Sequence, residues 1–347
     1  MTIDEAVPRS RLGQASPISP LTARALADAP PPYPYGWFAV AFSYELSAGG
    51  LLTRQFMGRQ IVIFRTASGT LRATEAYCPH MGAHFGHGGT VAGEELRCPF
   101  HGFRFSVDGR CTHSPYGPPP PAARLGMLEL REVCGVVLVW HGPPGQDPWE
   151  VEPPSTAPGW RTMRTKRLRF HSHPQEVTEN SVDFGHFGVL HGFTDSRVVE
   201  PLLVDGPRLR TRYSFTRPVP MTGGIATEIY IRVDGLGFSL VELEVAAGWA
   251  IRQLVLTTPI GEREVDVYVG TQLRSRGRGR LGRSAWALPE ALIERLVLRT
   301  VVGELRRDQV IWDHKKYLDR PALAAGDGPI AQYRAWARQF YPEGVEQ

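Results

Sequence analysis

The sequence predicts an α+β protein: an N-terminal all-β domain, then a curved antiparallel sheet with one long helix packed on it. Short β-branched and aromatic runs separated by Gly and Pro turns fill the stretch from Trp37 to about Gly142. Six longer strand-like segments follow a proline-rich break, and a helical pattern runs over 288–318. A chain of 347 residues is long enough for two such cores.

Taken in order, residues 1–35 are rich in Ala and Pro ("ADAPPPYPYG") and read as a mobile arm. The first domain, 36–145, contains strand patterns at "RQIVIFRT" (59–66), "LRATEAY" (71–77), "RFSVDGR" (104–110) and "GVVLVWHG" (135–142). "GPPGQDPWEVEPPSTAPG" (142–159) holds six Pro and marks a linker or boundary. In the second domain, 146–347, the strand patterns are "RTKRLRFHSH", "RLRTRYSFTR", "IATEIYIRVDG", "FSLVELEVA", "AIRQLVLTTPI" and "EVDVYVGTQLR". The long helix follows, and a short one at "IAQYRAWARQFY" (330–341) comes after it. No internal repeat interrupts this order.

Composition narrows the function. Hydrophobic residues at 42% and charged residues at 21% describe a globular chain. A net charge of +4 without a basic face interleaved with aromatics argues against nucleic-acid binding and permits an acidic protein partner. "RSRGRGRLGR" (274–283) is the most basic run, and its Gly content reads as a solvated loop. No window approaches the ~18–20 apolar residues of a membrane span. The first residues lack a basic-then-apolar leader pattern, so the expectation is a cytoplasmic protein whose four Cys stay reduced. Reduced thiols are better metal ligands than disulfide partners.

Two loops carry the strongest signal. "CPHMGAH" (78–84) and "CPFHGFRF" (98–105) supply Cys78, His80, Cys98 and His101, with seventeen residues between the pairs. Two thiolates and two imidazoles suit a tetrahedral zinc or a [2Fe–2S] cluster with mixed ligands. Zinc sites tend to pair Cys with Cys and His with His. One Cys and one His per loop instead fits a cluster with both Cys on one iron and both His on the other. His84 and His87 fall outside the pattern, and Cys111 and Cys134 read as small buried hydrophobes. The arrangement closely resembles the Rieske motif.

A second polar group lies at "ENSVDFGHFGVLH" (179–191), with Asp183, His186 and His191. On an ideal helix Asp183 and His186 are ~60° apart, and His186 and His191 ~140°. A straight helix would not aim both imidazoles at one point, but Gly185 and Gly188 allow a bend. From spacing alone the three are ligands, acid–base groups or hydrogen-bonded core residues. The long helix offers carboxylates at Glu304, Asp308 and Asp313. Asp308 borders the inward stripe of Val301, Leu305 and Trp312, and Asp313 lies ~140° away. Glu304, ~40° to the other side, is the runner-up ligand and reads more readily as an exposed helix salt-bridge residue. A carboxylate facing the core needs a partner, and a metal is one.

"ENSVDFGHFGVLH" resembles the E/D-N-x-x-D-x-x-H-x-x-x-x-H motif of Rieske non-heme iron oxygenases, and "DQVIW" (308–312) resembles their D-x-x-I-W segment. The resemblance implies a helix-grip catalytic domain in which His186, His191 and Asp308 bind a mononuclear Fe(II), with Asn180 near the iron. It makes Asp183 an electron-transfer bridge to a cluster-ligating His of the neighbouring subunit in a head-to-tail homotrimer. It also implies O2 as co-substrate and electrons from a ferredoxin or flavin reductase on a separate chain. The G-x-G-x-x-G spacing at Gly277, Gly279 and Gly282 falls in the Arg/Gly run read as a solvated loop and is not taken as an NAD or flavin motif. "DQVIWDHKKYLDRP" and "GDGPIAQYRAWARQFYPE" look most like the branch of 3-ketosteroid 9α-hydroxylases and sterol 7-desaturases. That branch implies hydroxylation or desaturation of a bulky apolar, steroid-like or polycyclic substrate. Demethylation or N-oxidation of an aromatic or amine-bearing metabolite is the alternative within the family. An electron-carrying Rieske protein and a structural zinc protein are the alternatives outside it.

Overall fold

The computed structural model describes residues 32–219, 223–245, 249–275 and 287–342. Most of the expected N-terminal arm and most of the Arg/Gly run lie outside them, while Tyr35 at the arm's end is tied down, its N–H donating to the Phe340 carbonyl at 2.7 Å.

Three small antiparallel sheets build the N-terminal part. Strands β1 (Gly36–Phe42), β10 (Leu130–Val133) and β11 (Val136–His141) form one, in the order β1-β11-β10. A second joins β2 (Leu51–Phe56), β3 (Arg59–Arg65), β4 (Leu71–Glu75) and β9 (Met127–Leu128). The third is a meander of β5 (Thr90–Ala92), β6 (Glu95–Arg97), β7 (Arg104–Phe105) and β8 (Cys111–His113). Here the sequence expectation of one strand over 104–110 gives way to a hairpin, because Asp108 and Gly109 form the turn between β7 and β8. Loops at one end of the second and third sheets carry the Cys and His residues.

The C-terminal part is a seven-stranded antiparallel sheet in the order β12-β18-β17-β16-β15-β14-β13. Its strands are β12 (Arg164–Phe170), β13 (Thr194–Asp205), β14 (Arg208–Arg217), β15 (Ile225–Asp234), β16 (Phe238–Val245), β17 (Trp249–Gly261) and β18 (Glu264–Ser275). In β14 the period of two is plain: Leu209, Thr211, Tyr213 and Phe215 are buried, while Arg208, Arg210 and Arg212 point to the other face. Pairing of Tyr213 with Ile229 and of Phe215 with Thr227 puts the inward sets of neighbouring strands on one face.

Two short helices, α1 (Pro174–Glu179) and α2 (His186–His191), link β12 to β13. The long helix α3 (Ala287–Trp312) crosses the same face, and α4 (Ile330–Ala337) follows. Val301, Leu305 and Trp312 on α3 pack with Phe170, Val177 and Val267 in one apolar cluster, so its inward stripe is the one the sequence pattern marked. The helix ends at Trp312 rather than continuing to 318. Beyond it Asp313 accepts the His171 backbone N–H at 2.9 Å, Lys315 reaches the buried Glu176 at 3.5 Å and Tyr317 is buried. These contacts pull the chain back onto the sheet despite its helical periodicity.

The two parts are bolted together. Trp37, Leu138 and Trp140 share a cluster with Leu254, Leu256 and Tyr268, and the Tyr268 hydroxyl donates to the Val40 carbonyl at 2.8 Å. The proline-rich stretch has no regular structure, yet Trp149 from it packs edge-on against Trp140 at 4.6 Å. Its carbonyl accepts from the Trp37 indole at 2.7 Å. The stretch therefore acts as a packed strap. Among the described residues no helix is long and apolar enough to cross a membrane.

Candidate active site

The two N-terminal loops share one backbone design. In the first, the Cys78 N–H donates to the Ala83 carbonyl at 2.8 Å and the Gly82 N–H returns to the Cys78 carbonyl at 2.9 Å. In the second, Cys98 donates to Phe103 at 2.8 Å and Gly102 to Cys98 at 3.2 Å. Gly82 and Gly102, at φ 72° and 71°, make the left-handed turn that closes each loop. This symmetry brings the tips together. Cys78 and Cys98 are 2% exposed, whereas the His80 and His101 rings, with centroids 4.8 Å apart, lie on the outer side.

Burial pushes the Cys78 thiol up to about 12, and the neighbouring Cys98 thiol adds to the rise. A bound iron reverses that balance, since coordination deprotonates a thiol outright. The four residues do not crowd round a single point as zinc ligands do. Among the described residues, His186, His191 and Asp308 are the one group whose ligand atoms fit a single ion. The donor set therefore suits a two-iron cluster with its Cys side buried and its His side outward. His84 and His87 stay outside: His84 Nδ1 accepts the Gly86 N–H at 2.9 Å, and the two rings lie 4.8 Å apart. Cys111 and Cys134 are partly rather than fully buried, each packed against a core cluster.

The second group sits on the inner face of the large sheet. His186 and His191 are the first and last residues of α2, and their ring centroids are 5.1 Å apart. Asp183 precedes this helix in an irregular turn, so the straight-helix angles do not apply to it. Asp308 reaches in from α3, 6% exposed, where the wheel placed it. One ligand atom from each of His186, His191 and Asp308 lies within 4.8 Å of the others.

The unsatisfied atoms carry the test for a metal. Asp308 Oδ1 lies 3.2 Å from His191 Nε2, yet it is buried without a hydrogen-bond partner among the described residues. Two donors each ~2.1 Å from one ion at right angles lie about 3 Å apart, as these atoms do. They aim at a shared point rather than at each other, and the two-His, one-carboxylate set fits a mononuclear iron. Asp183 stands differently. Its Oδ2 lies 3.3 Å from His186 Nδ1, and the carboxylate is 35% exposed, on the rim rather than in the group. Its charge adds to the effect of burial in pushing the Tyr213 phenol up.

A cleft of about 880 Å³, its open mouth included, is bounded by His186, His191 and Asp308. Its walls are mostly apolar, with Phe187, Phe215, Ile231, Leu243, Leu305 and Trp312 among them, and Asn180 also reaches it. Arg217 and Gln253 are among the polar wall residues that sequence reasoning did not single out. Arg217 could have been found. It follows Leu209, Thr211, Tyr213 and Phe215 in the inward phase of β14, where an arginine is out of place. Glu304 forms a salt bridge, but not the exposed one expected: its partner is Arg217 on β14, and the pair lies largely buried in the cavity wall. Asp313 is engaged with His171 and Gln309, away from the ligands.

Fold and donor sets define the class, a Rieske-type oxidoreductase. Residues 36–129 match the Rieske [2Fe-2S] domain, and residues 139–341 match the 3-ketosteroid 9alpha-hydroxylase C-terminal domain. The chain belongs to the Rieske oxygenase family that carries this C-terminal domain. It is 31% identical to Cholesterol 7-desaturase nvd 1 of Ciona intestinalis over 343 residues, covering 91% of this chain and 70% of that protein. To a probable 3-ketosteroid-9-alpha-monooxygenase, oxygenase component, of Rhodococcus rhodochrous it is 28% identical, covering 90% and 81%. Among solved structures, dicamba monooxygenase bound to 3,6-dichlorosalicylic acid superposes with a TM-score of 0.72 at 19% identity, covering 88% and 96%. NdmA of Pseudomonas putida CBB5 gives 0.68 at 17%, covering 91% and 90%. These two structures share the fold.

Proposed function

We propose that this chain is the oxygenase component of a cytoplasmic Rieske non-heme iron monooxygenase acting on a bulky apolar substrate of steroid or sterol type. It hydroxylates or desaturates that substrate with O2 and electrons from a separate ferredoxin or reductase. The observation that carries this reading is the convergence of His186, His191 and Asp308 at an apolar-walled cavity. The sterol-directed names of the relatives support the substrate class.

In this reading residues 36–145 form the cluster-binding unit, with Cys78, His80, Cys98 and His101 as ligands. Residues 146–347 form the catalytic unit, with His186, His191 and Asp308 as ligands. When bound, the two centres supply stored electrons and an open coordination position at which O2 is reduced. The protein supplies position and exclusion of water. Asp183 lies 3.3 Å from His186 Nδ1, close enough to act on His186 from the rim of the group. Asp308 brings a negative charge into a buried wall, where a cation offsets its desolvation. Leu305 and Trp312 flank it and keep bulk water from the reacting carbon. Asn180 adds a polar group to the cavity lining.

A head-to-tail homotrimer follows, with the His80/His101 tip of one copy against Asp183 of the next. Support comes from the surface at both ends. Met81, Phe100 and Tyr116 are exposed around the tip, and Val189 is 95% exposed between His186 and His191.

The test is a product screen with a surrogate ferredoxin–reductase pair across steroids, arylamines and aryl methyl ethers. O2-dependent hydroxylated or desaturated steroid is the expected result. Conversion of arylamines or ethers with steroids untouched would move the substrate to the aromatic alternative. Cluster turnover without product from any class would leave an electron carrier.

A further inference from the structure

The cavity beside the ligands continues into a second, partly open space under the first half of α3. Arg217, Leu243, Gln253 and Val301 belong to both walls and form the neck between them. Across this neck the Arg217 Nη1 donates to Glu304 Oε1, tying the end of β14 to α3. The guanidinium also lies over the Phe193 ring, 4.8 Å from its centroid.

Stability does not explain this pair. A largely buried ion pair loses in desolvation about what it gains in attraction, and an apolar pair of similar size would pack as well in these walls. The pair does provide a fixed, charged hydrogen-bond donor in a mostly apolar neck that also holds Gln253. Arginine has five N–H groups, and the bond to Glu304 engages one. Glu304 and the stacked ring hold the plane of the group.

We infer that Arg217 is the specificity-determining residue of this cavity, donating a hydrogen bond to a neutral keto or hydroxyl oxygen at one end of an otherwise apolar polycyclic substrate. The inference rests on the reading of the cavity as the site of a bulky apolar substrate. The oxygen is neutral because Glu304 already balances the Arg217 charge, and a substrate carboxylate would face Glu304 at close range. Position follows too. Glu304 is one turn before Asp308, about 6 Å of helix rise. The oxygen anchor therefore stands close to the ligand group, so the reacting carbon lies near the oxygenated end. The apolar tail extends into the outer space, between Ile225, Ile251 and Leu296.

The experiment measures equilibrium binding of cholestanone, cholestanol and cholestane, delivered in cyclodextrin, to the anaerobic holoprotein. Wild type is expected to bind the two oxygenated steroids at least about tenfold more tightly than cholestane, because leaving the donor unpaired penalises the hydrocarbon. Arg217→Met brings the three affinities within about twofold while cholestane binding holds. Glu304→Gln, which keeps a hydrogen-bond acceptor for Arg217, retains the discrimination. Discrimination that survives Arg217→Met, or an equal loss for all three steroids, overturns the assignment. Equal binding of the three by wild type overturns it without any variant and leaves the apolar-cavity reading standing. Binding of none removes both.

Discussion

Asp183 and Asp308 stand beside the same pair of imidazoles, yet their surroundings differ. Asp308 is buried with an unsatisfied oxygen 3.2 Å from His191, whereas Asp183 sits on the rim, its Oδ2 3.3 Å from His186 Nδ1. Asp183→Asn is therefore expected to leave cluster and mononuclear iron loaded while slowing electron transfer between them at least about tenfold. Rapid-reaction spectroscopy with metal analysis checks this, and loss of the mononuclear iron alone would contradict the bridging role. A second residue sets acid sensitivity. Burial, with the Arg59 charge adding, pushes the His141 imidazole down from 6.5 to about 4. The unfolded chain then binds the proton first, so this contribution to stability is full above pH 6.5 and lost as pH falls toward 4. The loss amounts to about 3 kcal/mol at most. His141→Gln should flatten the fall in urea midpoint between pH 7 and 5 relative to wild type, and parallel profiles would contradict it.

At the scale of elements, the turn before α2 is held from outside. Gly328, at φ 87°, lies so close that a Cβ there would meet the Val182 carbonyl at 2.5 Å and the Phe184 ring at 3.1 Å. Gly328→Ala therefore costs about 1–3 kcal/mol through the left-handed backbone and the displaced turn. It should also slow electron transfer through Asp183. A lowered melting temperature with an unchanged transfer rate would show that this turn does not position the carboxylate. Elements with local signals were legible in the sequence: β3, β11, β14 and the stripe of α3 all follow from periodicity. The edge strand β13 was not, because its first eight residues are exposed and lack the alternation that burial of one face imposes. The metal-type residues were legible because each set is compact in sequence, with Asp308 placed by its face of the helix. The Arg217–Glu304 pair joins residues 87 apart, which no local pattern encodes.

For the whole molecule, the sharing of one cluster by Trp37, Trp140, Leu254 and Tyr268 ties cluster unit and catalytic sheet together. In the proposed trimer, electron transfer depends on how copies of this unit meet. Phe100→Glu at the exposed tip should convert a trimer to monomers by light scattering, a roughly threefold fall in mass, because a charge in an apolar contact is left unpaired. An unchanged mass would remove the tip from the interface. The central claim is that electrons stored by the Cys78/His80/Cys98/His101 set are used for substrate chemistry beside His186, His191 and Asp308. A single-turnover experiment tests it most directly: chemically reduced protein, freed of reductant, is mixed with O2 and a sterol substrate. The account predicts hydroxylated or desaturated sterol formed in step with reoxidation of the cluster spectrum, and no product from Asp308→Ala. Reoxidation without product in the wild type, or equal product from Asp308→Ala, would contradict it.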